Sequence, residues 1–537
     1  VDAADDLVKR IAAGGSATSP EAYDSSVRWV RLAAALTVGR PVRWMPVAAV
    51  AVGGVPFTAF TILMLYHFYI KGSFFWDSGL LAYLMSQADW RLPTPPIFGG
   101  DSFFATHFTP IFIPLSLIRH LLPISDPQFF AGFSGLCHAL PGLAAFWLLQ
   151  AGYGLRTSRG VAVAAIIGLA FSFNGLALAI ARYPHFEMLI VGGALLFLVA
   201  LIQRRLVLAG IFFAICLATR EDAGLHLFAI LFLLIALNHY RGVPWRKQRA
   251  EIAFAAIAIC YSVSVLALQH AMFTGQSSFA RIYLGDPALR KLTVAVLSER
   301  LLGYMQYRTY IVLPALIAGI WAVRARNPYI VLGYAAFLPW AVLHLLADSD
   351  IAGTLSAYYA YPFMIASFWP LISVLLDERV RGSQAPATLS ILAFAATIAS
   401  SWTAIPYQAN PGRIELPAGF LSPPSIARQD ATDQAMTALV RAKAELGTVF
   451  VDGSVLALAP DGYVLSETVW GGKDQRPNTV IYFVHGYEAD AARKIAEAAG
   501  LDLRYQVPGT SIRLATDHAI APTSPLAAFV SPADKSE

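Results

Sequence analysis

Long apolar runs separated by short polar stretches fill the chain from about residue 46 to residue 404, and a more polar tail follows. A helix crossing a hydrocarbon core needs about 20 apolar residues. Eleven runs approach that length: 46–69, 128–151, 160–180, 187–203, 205–219, 222–240, 249–271, 304–323, 328–346, 357–376 and 386–404. Several are short, near 15 to 17 residues, and predict local bilayer thinning or protein-lined helix ends. The further apolar stretch 108–124 carries Pro110, Pro114, Arg119 and His120 and reads as a re-entrant or surface-lying segment.

The loops between these runs alternate in charge. One set holds Arg156 and Arg159, Arg204 and Arg205, Arg241, Arg246, Lys247 and Arg249, Arg324 and Arg326, and Arg379 and Arg381. The other holds Asp77, Asp89 and Asp101, His185 and Glu187, Glu221 and Asp222, and Asp348 and Asp350. Basic loops stay on the cytoplasmic side, so residues 1–45, with Arg28, Arg31, Arg40 and Arg43, are expected in the cytoplasm and the tail outside. Counting 108–124 as a span would put nearly every basic loop on the wrong side.

Past residue 404 the pattern shortens. A Pro-rich linker (Pro406, Pro411, Pro417, Pro423, Pro424) leads to a helix at about 430–446, then to apolar runs at Val449–Val451, Tyr463–Leu465 and Val480–Val484. An amphipathic helix is expected at 488–499 and a closing strand at Ile512–Leu514. Alternating short strands and helices predict a small α/β domain. The expected architecture is therefore an α-helical multi-pass membrane bundle of about 11 spans (46–404), an external α/β domain (405–518) and a disordered end (519–537).

Composition agrees: 57% of the 537 residues are hydrophobic and 14% charged, against about 25% charged in soluble domains. A disordered chain, a collagen-like fibre, a disulfide-rich module and an ordinary soluble enzyme are excluded. The net charge of +5 lies in orienting loops and forms no basic stripe interleaved with aromatics, so nucleic acid is not an expected partner. Cys137, Cys216 and Cys260 stand alone inside apolar runs and read as small core residues. The first apolar run is too long for a signal-peptide core, and no cleavable leader is expected.

The chemistry collects on the external side. Asp77 opens a segment of helical apolar spacing in the long loop 70–107, where it is either a helix cap or a carboxylate at the membrane boundary. His107 ends that loop. Arg182, His185 and Glu187 share the next external turn; Arg220, Glu221 and Asp222 share another; Arg308, Tyr358 and Tyr359 stand at later span starts. Singly, each has an ordinary reading as a cap, an interface anchor or a core histidine. Together they predict one external, membrane-level site of metal-capable and phosphate-capable groups.

Four ordered motifs, WDSG at Trp76–Gly79, HFTP at His107–Pro110, HFE at His185–Glu187 and REDAG at Arg220–Gly224, carry a family resemblance. The chain resembles a family of uncharacterised bacterial and archaeal multi-pass membrane proteins grouped with the GT-C class, whose pattern runs FDxG, HFSP, FHPE, KEDAG. Trp76 replaces Phe, Pro184 precedes His185 instead of following it, and Arg220 replaces Lys. The match covers about residues 70–225 and fades into general architecture beyond. The resemblance implies a glycosyltransferase of the bacterial inner membrane that draws on a polyprenyl-phosphate sugar in the lipid and an unidentified acceptor. It implies Asp77 as base and puts Glu187, His185, His107, Arg220, Glu221 and Asp222 in the family's motifs. Glu187 and His185 are expected in the catalytic set, and by position and chemistry Arg182, Arg308, Tyr358 and Tyr359 join His107, Arg220, Glu221 and Asp222 as candidates for donor or acceptor binding. Asp77, His185 and Glu187 are candidates to hold a divalent cation, Mg2+ or Mn2+. The external domain is a candidate protein-docking module. A non-catalytic subunit built on the same bundle, or a lipid or solute transporter, are the alternatives.

Overall fold

The computed structural model describes residues 42–71, 76–87, 89–94, 102–273, 283–285, 287–355, 357–376, 384–404, 416–452, 455, 458, 467–468, 476–486 and 488–533. Helix α1 (Met45–Tyr66) starts with Pro46 in its first turn and widens into a π-helical turn at His67–Lys71. Then come α2 (Trp76–Ser86), α3 (Phe112–Leu121) and α4 (Asp126–Ala151). The Gln128 side chain caps α4 by accepting the Ser125 N–H at 3.0 Å. Helices α1 and α4 pack along one another, and their backbones close up at Gly135, where a Cβ would meet Thr61 Oγ1 and lie 2.5 Å from the Phe57 carbonyl. Small residues permit this approach in membrane bundles.

Helices α5 (Ser158–Ser172) and α6 (Gly175–Ala181) meet at a 40° bend. Asn174 makes the break, its side chain accepting the Ala177 N–H at 2.9 Å and starting α6 afresh. Helix α7 (Met188–Ile202) is buried at every position from Met188 to Leu201, enclosed by α4 and by α8 (Leu206–Thr219). The bundle continues through α9 (Ala223–Tyr240), α10 (Arg249–Met272), α11 (Val294–Tyr307) and α12 (Thr309–Ala325), the last two bent by 79°. Next are α13 (Leu332–Ala336), α14 (Leu338–Leu346), α15 (Tyr361–Ala366), α16 (Trp369–Leu376) and α17 (Gln384–Ser401), with α15 also against α7. Large apolar side chains such as Val47, Val50, Val207, Leu302 and Val323 point outward, as a lipid-facing surface requires.

All eleven predicted runs contain helix, while eleven crossings are not established. Among the described residues five helices are long and apolar enough by length and composition to cross a membrane, or seven if each bent pair counts as one span, and four further apolar helices are shorter. The shorter lengths have local causes. Runs 187–203 and 205–219 become helices of 15 and 14 residues that end at polar turns, and run 357–376 is split at Ser367–Phe368 into α15 and α16. Stretch 108–124, expected as a re-entrant or surface-lying segment, yields the ten-residue α3, with Leu117, Ile118 and Leu121 exposed.

In the tail, α18 (Ile426–Arg441) begins four residues earlier than the spacing predicts, because Ser425 caps it through the Arg428 N–H at 3.2 Å. A six-stranded sheet follows, in the order β2-β1-β3-β5-β4-β6, from β1 (Val449–Val451), β2 (Glu467–Thr468), β3 (Thr479–Phe483), β4 (Leu503–Gln506), β5 (Ile512–Thr516) and β6 (Ser531–Pro532). Strands β2, β1 and β3 run parallel, and β5 is antiparallel to β3 and β4. Helix α19 (Ala489–Ala498) packs on β3. The expected strand at Tyr463–Leu465 lies outside the described residues. The stretch 519–533, expected within a disordered end, instead turns back, buries Leu526 and pairs β6 with β4, so sheet hydrogen bonds and an apolar contact hold it.

This domain is tied to the top of α1 and α4. The Tyr69 hydroxyl donates to Asp433 at 3.1 Å and bonds Ser125 Oγ at 2.9 Å; Arg428 Nε donates to the Tyr69 carbonyl at 2.8 Å; Ser511 Oγ donates to the Ile70 carbonyl at 3.0 Å.

Candidate functional site

Three turns meet at one end of the bundle. Helix α8 stops at Thr219, Arg220 is fully extended, and Asp222 leads into α9. The turn between α6 and α7 supplies His185 and Glu187, and the turn before α3 supplies His107. Gly224 lets α9 approach α10 so closely that a Cβ would meet the Ala258 carbonyl, and across this seam Ser262 Oγ donates to the Glu221 carbonyl at 2.6 Å. The last residue of the REDAG motif therefore has a packing reason to lack a side chain.

Arg220 is 4% exposed and lies among carboxylates. Its Nη1 donates to Glu187 Oε1 at 2.7 Å, and its Nε lies 3.0 Å from Asp222 Oδ1 and 3.7 Å from Glu221 Oε1. Glu187, fully buried, also contacts the His185 ring. Glu221 pairs with His107 Nδ1 at 3.0 Å and accepts the Phe108 N–H at 2.9 Å. Burial pushes the Glu221 carboxyl up, but the charge and hydrogen bond of His107, with Arg220 behind them, outweigh it and hold the group at about 2. Burial, reinforced by His107 and Arg220, pushes the His185 imidazole well below its usual range, so it meets Glu187 as a neutral ring.

Behind Asp222 lies an aromatic layer. The His226 ring, one turn along α9, has Nε2 3.8 Å from Asp222 Oδ2 and packs against Trp340 at 4.8 Å and Tyr361 at 5.6 Å. His344 bonds the Ala352 carbonyl through Nδ1 at 2.7 Å and the Tyr283 hydroxyl through Nε2 at 3.2 Å. Sequence reasoning missed His226, Tyr283, Trp340 and His344. Only His226 left a local signal, standing four residues after Asp222 on one helix face.

No family model matches the chain, and no curated protein matches it. Among solved structures it is similar to the crystal structure of ArnT from Cupriavidus metallidurans bound to undecaprenyl phosphate. The identity is 13%, the match covers 88% of this chain and 98% of that one, and the TM-score is 0.46.

The structure thus brings together His107, His185, Glu187, Arg220, Glu221 and Asp222. Asp77 is in the first turn of α2, its side chain outside the described residues, but the neighbouring Ser78 Oγ donates to the Pro184 carbonyl at 3.4 Å and fixes that turn beside His185. Arg182, half-buried, ends α6 in the same turn as His185. Arg308 and Tyr359 are not joined to the cluster. Arg308 donates to the carbonyls of Thr354 at 2.9 Å and Tyr307 at 3.1 Å, because the sharp α11–α12 bend turns it toward backbone. Tyr359 packs on His344 at 4.9 Å, and the Tyr358 side chain lies outside the described residues. Among the described residues no three His, Cys, Asp or Glu side chains stand together as a metal-holding group.

Proposed function

We propose that the chain is an integral-membrane glycosyltransferase that moves a sugar from a polyprenyl-phosphate donor to an acceptor hydroxyl, with Asp77 as base. One observation carries the reading: the motifs WDSG, HFTP, HFE and REDAG meet in space, through Ser78 to Pro184, His107 to Glu221 and Glu187 to Arg220. In the reaction the acceptor oxygen bonds to the anomeric carbon, the bond from that carbon to the donor phosphate oxygen breaks, and the hydroxyl proton passes to the base. Polyprenyl phosphate leaves with the electron pair.

Three buried carboxylates, Glu187, Glu221 and Asp222, surround one guanidinium, so the cluster is short of positive charge. Such a cluster repels a phosphate. Arg220 is accordingly a positioning residue that locks the turns around Asp77, and the departing phosphate falls to Arg182, half-buried in the same turn as His185, with a guanidinium group that can bind phosphate oxygens bidentately. A divalent cation, Mg2+ or Mn2+, enters this reading only as a counter-charge at the candidate set Asp77, His185 and Glu187, and no step is routed through it. The charge alternation of the loops supports a topology with the site and the α/β domain on the external side of the bacterial inner membrane and the basic loops in the cytoplasm.

The test is sugar transfer in proteoliposomes supplied with a panel of polyprenyl-phosphate sugars. Asp77→Asn should lower the rate by about 10²–10⁴-fold with the unfolding midpoint unchanged. Transfer at the wild-type rate by this variant would remove Asp77 from the chemistry.

A further inference from the structure

At the end of the bundle away from the carboxylate cluster, a cavity of about 350 Å³ opens between α7, α9, α16 and the start of α10. That volume lies within the range of about 300–1,000 Å³ typical of small-molecule sites. Much of its wall is apolar, with Leu198, Leu234 and Leu376 among the lining residues, and its polar lining includes Arg204, Lys247, Gln248 and Glu251. Gln248 is 1% exposed and Glu251 7% exposed, yet Gln248 Oε1 and Glu251 Oε2 have no hydrogen-bond partner. A buried acceptor left without a donor keeps its full desolvation penalty. A carboxylate in the first turn of α10 is ordinary, because the helix dipole favours it; two orphaned acceptors on residues that line one cavity are not.

Arg204 adds an independent sign. It adopts a left-handed backbone with φ 57°, which a non-glycine residue holds only when its surroundings demand it. That turn carries its half-exposed side chain to the cavity, where Nη1 donates to Glu251 Oε1 at 2.9 Å and Nη2 to the Lys247 carbonyl at 3.3 Å.

The three surfaces ask for three things in one molecule. The orphaned oxygens of Gln248 and Glu251 require N–H donors, and a carboxylate prefers them on a cation. Arg204 and Lys247 suit a phosphate, and the leucine walls suit hydrocarbon. We infer that this cavity is a binding site for a phosphoethanolamine headgroup borne by a membrane lipid, the ammonium meeting Gln248 and Glu251, the phosphate meeting Arg204 and Lys247, and the acyl chains lying along the leucine walls. Basic pockets between membrane helices commonly hold lipid headgroups; the buried carboxylate selects a primary ammonium over a trimethylated one, which has no N–H to donate. The site is separate from the proposed transfer chemistry and does not depend on it.

The experiment is native mass spectrometry and thermal unfolding of the whole, delipidated protein with defined lipids added. Phosphatidylethanolamine should be retained at least tenfold better than phosphatidylcholine of the same chains and should raise the unfolding midpoint. Glu251→Gln, which keeps the shape and loses the charge, should erase that preference, and Arg204→Ala should weaken retention of both lipids. Equal retention of the two lipids by the wild-type protein would overturn the inference, and this arm needs no variant. Equal retention of phosphatidylglycerol would overturn the ammonium assignment. The same midpoint shift from water-soluble glycerophosphoethanolamine at equal concentration would overturn the assignment to a lipid.

Discussion

Arg220 turns its guanidinium inward, to Glu187 and Asp222, whereas Arg308 bonds only to backbone carbonyls and stays half-exposed. Removing one partner of a buried ion pair typically costs about 3–5 kcal/mol, and a half-exposed arginine contributes about 1 kcal/mol or less. Arg220→Ala should therefore lower the unfolding midpoint in detergent far more than Arg308→Ala; the reverse ranking would show that the buried network is not what fixes these turns. Glu221 makes a pH prediction. Its carboxyl is held at about 2 against an ordinary 4.5, so its contribution is complete above 4.5 and fades as pH falls through about 2. The midpoint gap between wild type and Glu221→Gln should be constant from pH 8 to 5 and shrink below pH 4.5. The residues of this cluster were legible in sequence because each stands in a short turn between apolar runs. His226 and His344 were not, because an isolated histidine inside an apolar run looks like core until α9 and α14 are seen to face one another.

Helix existence was readable from hydrophobic runs, but helix length was not, since a break at one polar residue leaves the average hydropathy almost unchanged. Asn174 and the Ser367–Phe368 joint show this: both interrupt runs that read as continuous spans. How closely two helices approach is equally hidden, because it depends on which face a glycine takes. Gly135 and Gly132 lie one turn apart on α4, and only Gly135 faces α1. Gly135→Ala should destabilise the bundle by about 1–3 kcal/mol through overpacking. Gly132→Ala, with nothing within 4 Å of the added methyl, should be neutral or stabilise by up to about 1 kcal/mol from helix propensity. Unfolding midpoints of the two variants, measured side by side, decide the matter.

Over the whole molecule, the order of a helical bundle followed by an α/β domain was legible from the change in pattern near residue 404, while the joint between them was not. It rests on Tyr69, Ser125, Arg428, Asp433 and Ser511, which are far apart in sequence and individually unremarked. Burial raises the Asp433 carboxyl to about 6 from an ordinary 3.8, with Asp430 and Asp126 adding to the rise. A group raised in this way favours the docked state fully below 3.8 and loses that contribution as pH climbs through about 6. Hydrogen exchange of α18 amides, corrected for intrinsic rates, should be slower at pH 5 than at pH 7.5, and Asp433→Asn should abolish the difference. A pH-independent pattern in the wild type would place the joint's strength elsewhere. Helix α7 bears on how such a molecule is made. Enclosed by α4, α8 and α15, it presents no flank to lipid, and α15 leaves the ribosome long after α7 does. The nascent chain must therefore shelter a finished central helix beside a gap until its last neighbour arrives, so that truncated products ending before residue 361 should be the ones membrane quality control degrades.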